Sequence, residues 1–261
     1  MAVQRVRDLT TYYEIAGQGE PLVFIHGLGS SARDWELQIV FFSRHYQVIA
    51  YDVRGLGQSD KPPGPYSIRL FSRDLAGLLE ALGIGPAHIV GISLGGMIGL
   101  QLAVDAPELL KSLVVVNSMP EMTIRTWKQR IQVVQRFLIV QLFGVRKMGE
   151  VLARRLFPKP EQAEARATLV ERWAENDPRA YRATGRAIVG WSVIDRLEEI
   201  TCPVLVVTAD QDYTPVEAKA SYVKRLPRGK LVVIDDSRHA TPVDQPEAFN
   251  KAVLAFLQEQ V

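Results

Sequence analysis

Short unbroken apolar runs alternate with helical apolar stripes along most of the chain. Leu22-Val23-Phe24-Ile25, Val48-Ile49-Ala50-Tyr51, His88 to Ile92, Ser112 to Val116, Val204 to Thr208 and Leu231 to Ile234 are continuous runs, the pattern of strands buried on both faces. Between them lie segments with helical spacing: Ala32 to Phe42, Ser67 to Leu82 with its stop at Gly83, Met97 to Ala106, Val216 to Leu226 and Pro246 to Leu257. Two shorter runs, Val3 to Val6 and Thr11 to Ile15, flank a polar turn at Arg7-Asp8 and predict an edge hairpin before the breaker run Gly17 to Pro21. Strands alternating with helices describe parallel β-α-β units, so the predicted class is α/β, a mostly parallel central sheet flanked by helices. The alternation stops between Pro120 and Arg196, where only helical patterns occur. The expected organisation is one core, 1–119 and 197–261, with residues 120–196 as a helical cap inserted after the sixth strand.

Composition narrows the partners. A chain of 261 residues with 47% hydrophobic and 23% charged residues is an ordinary globular protein, and its net charge of +2 gives no general attraction to nucleic acid or membrane. Cys202 is the single cysteine, so neither an intrachain disulfide nor a cysteine-based metal site is available, and a reducing compartment is compatible. Its place before Pro203 reads as structural filler. The start, Met1 to Asp8, lacks the apolar core of a secretory signal, and no uncharged run reaches transmembrane length. The expectation is a cytoplasmic protein without stable membrane insertion.

One run inside the insertion keeps several uses open. Ile131 to Phe143 is amphipathic with a broad apolar side, predicted to pack on its neighbours, with a substrate pocket, a partner or lipid as the other possible faces. Arg125, Lys128, Arg130, Arg146, Lys147, Arg154 and Arg155 around it read as a solvated face; binding of a carboxylate-bearing substrate is the sharper alternative.

The chemistry centres on Gly91-Ile92-Ser93-Leu94-Gly95, between a strand run and a helix run. A serine hydroxyl is a weak nucleophile, and a sharp strand-to-helix turn exposes it where a base can reach it and helix-end N–H groups face it. Ser93 is the candidate nucleophile. Its base is sought among four histidines. His88 precedes Ser93 by five residues on the same strand, ~16 Å away at ~3.3 Å per residue and at the wrong end of the sheet. His45 lies at that same end. His26 belongs to the loop His26-Gly27-Leu28-Gly29-Ser30 and is given a role in holding it. His239 follows the run Leu231 to Ile234, so it lies at the carboxyl ends of the strands, where open α/β sheets place their sites. An acid that orients it belongs at a strand end too, and Thr208 to Pro215 offers Asp210 and Asp212, either of which could instead cap the helix that starts near Pro215.

With these residues in place the sequence resembles the α/β-hydrolase family. His26-Gly27-Leu28-Gly29 is similar to its oxyanion loop, Asp52 to Asp60 to its D-x-R-G-x-G-x-S-D loop, Gly91 to Gly95 to its nucleophile turn, and residues 120–196 to its cap. The resemblance implies a triad of Ser93, Asp212 and His239, because the family's acid lies three positions after the strand-end position held here by Ala209. Asp210 continues directly from the strand, whereas Asp212 lies in the turn and can swing toward His239. It further implies an oxyanion hole from the N–H groups of Leu28 and Leu94, substrate contacts from Gly27 and Trp127, and no cofactor or metal. Ser93 argues against the haloalkane dehalogenases and epoxide hydrolases, which use an aspartate there. Ala240, where meta-cleavage C–C hydrolases carry a tryptophan, argues against those. Gly64-Pro65-Tyr66-Ser67-Ile68, the Gly91 to Met97 turn and Trp127 are similar to 3-oxoadipate enol-lactone hydrolases, and the motifs as a set to carboxylesterases. The implied activity is a carboxylesterase that cleaves small-molecule esters of short to medium acyl chains. An enol-lactonase-like lactone hydrolase and a ligand-binding receptor with little turnover remain alternatives, and a homo-oligomer stays possible.

Overall fold

The computed structural model describes residues 2–260. Eight strands form one sheet: β1 Ala2–Val6, β2 Leu9–Ala16, β3 Pro21–Ile25, β4 Gln47–Tyr51, β5 Ala87–Ile92, β6 Leu110–Val116, β7 Val204–Ala209 and β8 Gly229–Ile234, in the order β1-β2-β4-β3-β5-β6-β7-β8. The expected hairpin forms, with β2 running antiparallel to both β1 and β4, and every later pairing is parallel. The central runs are apolar without interruption because both faces are covered. Alternate residues of one strand therefore enter different cores.

One face carries Ile25, Ile49, Ile89 and Val115 against α2 (Ile68–Ala81) and α3 (Leu94–Asp105). The other carries Phe24, Val48, Val90 and Val114 against Trp35, α1 (Glu36–Phe42) and the C-terminal α9 (Pro246–Gln258). α2 starts where Ser67 accepts a hydrogen bond from Leu70 N–H at 3.1 Å, a standard N-cap. The first turn of the predicted Ala32 to Phe42 helix is a 3-10 turn, and α7 (Val216–Val223) ends three residues before Leu226. A short helix, α8 (Thr241–Asp244), follows His239 in a stretch that reads from sequence as a loop.

After β6 the chain leaves the sheet for α4 (Trp127–Leu156), α5 (Ala163–Ala174) and α6 (Pro178–Ile188). Its exit and return lie side by side: Val193 N–H donates to Pro120 carbonyl at 2.8 Å, and Met122 N–H to Trp191 carbonyl at 2.8 Å. Thr126 and Gln129 cap α4 reciprocally, and Gly144, at φ 78°, breaks it into two stretches. Val140, Val145 and Met148 of α4 bury with Trp173 of α5 and Tyr181 of α6, and Leu28 of the sheet's glycine loop packs beneath them. The packing expected for Ile131 to Phe143 holds only on the side of Val133, Phe137 and Val140; Ile131, Val134, Leu138, Leu142 and Phe143 face outward.

Candidate active site

Ser93 stands between β5 and α3 with φ 55° and ψ −112°, a left-handed conformation rare for a non-glycine residue. The turn is closed by Ser93 N–H donating to Val116 carbonyl at 2.9 Å, and by the Ser93 carbonyl accepting from Met97 N–H at 3.1 Å and from Ser118 Oγ at 2.7 Å. Glycine is required on both sides. A Cβ on Gly91 would lie 2.3 Å from the Gly95 carbonyl, and one on Gly95 would lie 2.2 Å from the Ile25 carbonyl oxygen. These glycines let β3, β5 and the start of α3 converge. The N–H of Leu94 is the first of α3, so it has no partner within the helix.

The glycine loop after β3 lies against this turn. A methyl on Gly27 would sit 3.7 Å from Ser93 Cβ. His26 is buried and holds the loop to its neighbour: its Nδ1–H donates to the Gly27 carbonyl at 2.8 Å, and its Nε2 accepts from Val53 N–H at 3.0 Å. Asp52 adds to the junction, accepting from Ala32 N–H at 2.7 Å and Gln58 N–H at 2.6 Å. Farther along, buried Arg54 is held by Asp74 at 2.6 Å and by Asp8 at 2.9 Å, so the Asp52 to Asp60 loop is scaffolding. From above, Asn176 Nδ2 donates to the Gly29 carbonyl at 2.9 Å, while the Trp173 ring covers Gly29 too closely for any side chain there.

His239 follows β8, and its Nδ1–H donates to Asp212 Oδ1 at 2.5 Å. That bond fixes the tautomer and leaves Nε2 without a proton, able to accept one. The Tyr213 ring stacks on the imidazole with centroids 4.3 Å apart. Asp212 Oδ2 faces inward, where it accepts from Thr214 Oγ1 at 3.1 Å and from Lys219 Nζ. Lys219 projects from α7 into a fully buried position, and its ammonium also donates to the Thr214 carbonyl at 2.7 Å. Burial alone would raise the Asp212 pKa, but the hydrogen bond and charge of His239, joined by those of Lys219, hold it at about 2. Burial pulls the Lys219 pKa below the usual lysine value, and Asp212 opposes that pull. Asp210 does something else: its Oδ1 accepts from Ser237 N–H at 2.9 Å, pinning the β7 and β8 loops together.

The structure thus brings Asp212 and His239 into contact and Gly27 beside Ser93, with Leu28 on the glycine loop and Leu94 at the first turn of α3. It does not group Trp127 with them. That residue opens α4 with an exposed indole under the Arg130 guanidinium, 5.5 Å from the ring centroid. Arg125, also a candidate from sequence, is exposed and paired with Glu121 at 2.6 Å.

Sequence reasoning missed Asn117, Lys219 and Asn176. Asn117 directly follows β6 at φ 44°; its Oδ1 accepts from Ala209 N–H at 2.8 Å, and its Nδ2 donates to His239 carbonyl at 2.9 Å and Thr241 Oγ1 at 2.7 Å. One side chain therefore spaces the acid's strand from the histidine's loop. An asparagine at a strand end beside two site loops was the available signal. For Lys219 the signal was its spacing of three from Tyr222, which puts both on the inner side of α7.

Comparison with known proteins gives the same architecture. The alpha/beta hydrolase fold family matches residues 20–246. The chain is similar to an (E)-2-((N-methylformamido)methylene)succinate hydrolase of Acinetobacter baylyi, at 31% identity over 98% of this chain and 97% of that one. It is also similar to a 3-oxoadipate enol-lactonase of the same organism, at 32% identity over 97% of this chain and 94% of that one. Among solved structures, an enol-lactonase from Burkholderia xenovorans superposes with a TM-score of 0.91 over 98% of this chain and 100% of that one, at 23% identity, a likeness of fold.

Proposed function

We propose that this chain, which belongs to the α/β-hydrolase family, is a serine hydrolase that cleaves carboxylic esters of short to medium acyl chains through an acyl-enzyme. The observation that carries the reading is the Asp212–His239 pair, with the Asp212 side chain buried, at the strand ends that also hold the strained Ser93 turn. Ser93 Oγ attacks the ester carbonyl while His239 Nε2 takes its proton. The tetrahedral oxyanion is met by the N–H groups of Leu28 and Leu94, each such donor being worth about 3 kcal/mol of barrier. Protonated His239, stabilised by Asp212, gives its proton to the leaving alkoxide. Water then attacks the acyl-enzyme with His239 again as base, and the acid leaves.

A specific observation favours a second substrate. Arg136 is half-buried on α4 and turned inward, donating from Nε at 2.9 Å and Nη2 at 2.6 Å to the Tyr181 hydroxyl, with no carboxylate partner among the described residues. It lies near enough to Tyr213 for its charge to act on that hydroxyl. Two relatives are named for a succinate and for an adipate-derived lactone. A carboxylate-bearing ester or lactone would give Arg136 the anion it lacks.

Fluorophosphonate labelling followed by a panel of neutral aryl esters and carboxylate-bearing lactones tests both readings. Label on Ser93 with many turnovers supports the enzyme, label on another serine overturns the assignment of Ser93, and only a few turnovers supports the receptor alternative. A lactone preference that Arg136→Met removes, with neutral esters unaffected, selects the second substrate.

A further inference from the structure

The first stretch of α4 carries an apolar stripe that nothing in the fold covers. Trp127, Ile131, Val134, Leu138 and Leu142 follow one another at spacings of four, three, four and four residues, which places them on one face over about 22 Å. Each is between 48% and 76% exposed. The opposite side of the same stretch is occupied: Val140 is buried with Trp173 and Tyr181, and Phe137 packs where a Cβ on Gly185 would come within 2.8 Å of it. The helix is thus anchored by one face and offers the other to the surroundings.

Its charges say what the surroundings are. No Asp or Glu occurs from Met122 to Gly149, a run that contains Arg125, Lys128, Arg130, Arg136, Arg146 and Lys147. On the helical wheel Arg130 and Gln141 border the stripe on one side, Lys128 and Gln135 on the other. Lys128 and Arg130 are exposed and have no acidic partner among the described residues; Arg186 of α6, over the Phe137 ring at 5.9 Å, extends the basic rim. A second copy of this face would bring cation against cation. A surface with negative headgroups above an apolar layer matches both features.

We propose that this stripe is a reversible docking face for anionic lipid bilayers, with Trp127, Ile131, Leu138 and Leu142 entering the headgroup boundary and Lys128 and Arg130 meeting the lipid phosphates. No helix among the described residues is long and apolar enough to cross a membrane, so the contact is with the surface. The α4 face packs, through Tyr181 and Trp173, over the loop that holds Leu28, so docking would orient the cap side of the molecule toward the lipid.

The test uses the full chain carrying Ser93→Ala, so that vesicle lipid is not consumed. It should sediment with phosphatidylglycerol vesicles and hardly with phosphatidylcholine vesicles. Trp127 is the most exposed of the tryptophans, so its emission should shift to the blue and lose access to iodide. Lys128→Glu/Arg130→Glu should lower the partition coefficient more than tenfold, since one basic residue near an anionic surface gains about fivefold. Ile131→Gln/Leu138→Gln should lower it by a similar factor and, in the Ser93 background, leave hydrolysis of a soluble aryl ester unchanged. Absence of binding, or binding that survives the Ile131/Leu138 substitutions, overturns the proposal. So does a concentration-dependent dimer that the same pair abolishes, which would assign the stripe to a second copy. Absence of esterase activity in the chain that keeps Ser93, with vesicle binding intact, would count against the proposed catalysis and leave this face standing.

Discussion

At Ser93 two demands meet in one residue: the hydroxyl that the proposed reaction needs and a positive φ that glycine would satisfy at less cost. Ser93→Ala should lose almost all activity and stay folded, because only a hydroxyl is removed. Ser93→Gly should be equally inactive yet more stable than Ser93→Ala by about 1 kcal/mol, the release of backbone strain outweighing the entropy of an added glycine. Denaturant midpoints of the two variants decide it; equal stability would mean that the turn stores no strain. The acid divides its work differently. Asp212→Asn should cost about 10⁴ in kcat with the fold kept, by analogy with other triads. Asp210→Asn should mainly loosen the bond to Ser237 N–H, and a larger loss of kcat from it would overturn the assignment. Lys219 adds a third case. Its buried ammonium shares the Asp212 charge with His239, so Lys219→Met should leave the full carboxylate charge to the imidazolium. That favours the protonated histidine, and the acid limb of the kcat/KM profile should move to higher pH. A fall in kcat at an unmoved limb would make Lys219 a packing residue only.

Elements were legible where one pattern had one explanation. The buried runs of β3 to β7 could only be strands of a covered sheet, and helices of ordinary length between them left little choice of topology; β8, equally apolar from Leu231 to Ile234, proves a half-exposed edge strand. Ser93, His239 and the pair Asp210/Asp212 were legible because strand ends are where a polar residue after an apolar run must surface. The choice between the aspartates rested on resemblance, and geometry then separated them by their partners, His239 and Ser237. What stayed hidden were contacts between elements distant in sequence. Asn176 reaches Gly29 across 147 positions and Asn117 reaches Thr241 across 124, and no local pattern announces either. The outward stripe of α4 was hidden for a different reason: amphipathicity gives the width of an apolar side, not what lies against it. Asn176 gives an element-scale prediction. Its side chain is buried and holds the carbonyl of Gly29, next to Leu28, so Asn176→Ala leaves that carbonyl unpaired and frees the loop. Stability should drop by about 1–3 kcal/mol. Activity should fall mainly in kcat, since an oxyanion donor matters most in the transition state. A change confined to KM would place the loop's role in binding instead.

For the whole molecule the question is how the helices after β6 stay on the sheet. Their apolar contacts are the small cluster around Trp173 and Tyr181, which takes in Leu28, and the side of α6 with Ala183, Ala187 and Ile188, which joins one of the sheet's two cores; the rest is polar and reaches the loops around the candidate site. Arg172 of α5 donates to the Arg33 carbonyl at 2.8 Å and pairs with Asp34 at 3.0 Å and Glu36 at 2.8 Å, beside the glycine loop. On the other side Lys159 pairs with Asp236, in the loop before His239, and Gln162 donates to Asp244 of α8, just after it, at 2.6 Å. Such a seam is built for local opening, because its ion pairs face water and weaken with salt, whereas the sheet's two apolar cores do not. Arg172 is its least exposed ionic member; burial opposes its charge, and the hydrogen bonds it donates to Asp34 and Glu36 more than restore it, raising its pKa. Arg172→Ala should therefore speed amide exchange in α5 about tenfold, the equivalent of roughly 1.4 kcal/mol, and leave exchange in β3, β5 and β6 unchanged. Salt at about 1 M, where the Debye length is about 3 Å, should do part of the same to the unaltered chain and little more to the variant. KM should rise in both cases while kcat holds, if opening is the step that admits substrate and lets product go. Exchange that quickens equally in the central strands would show instead that the helical segment and the sheet open as one unit, and that the seam sets global stability.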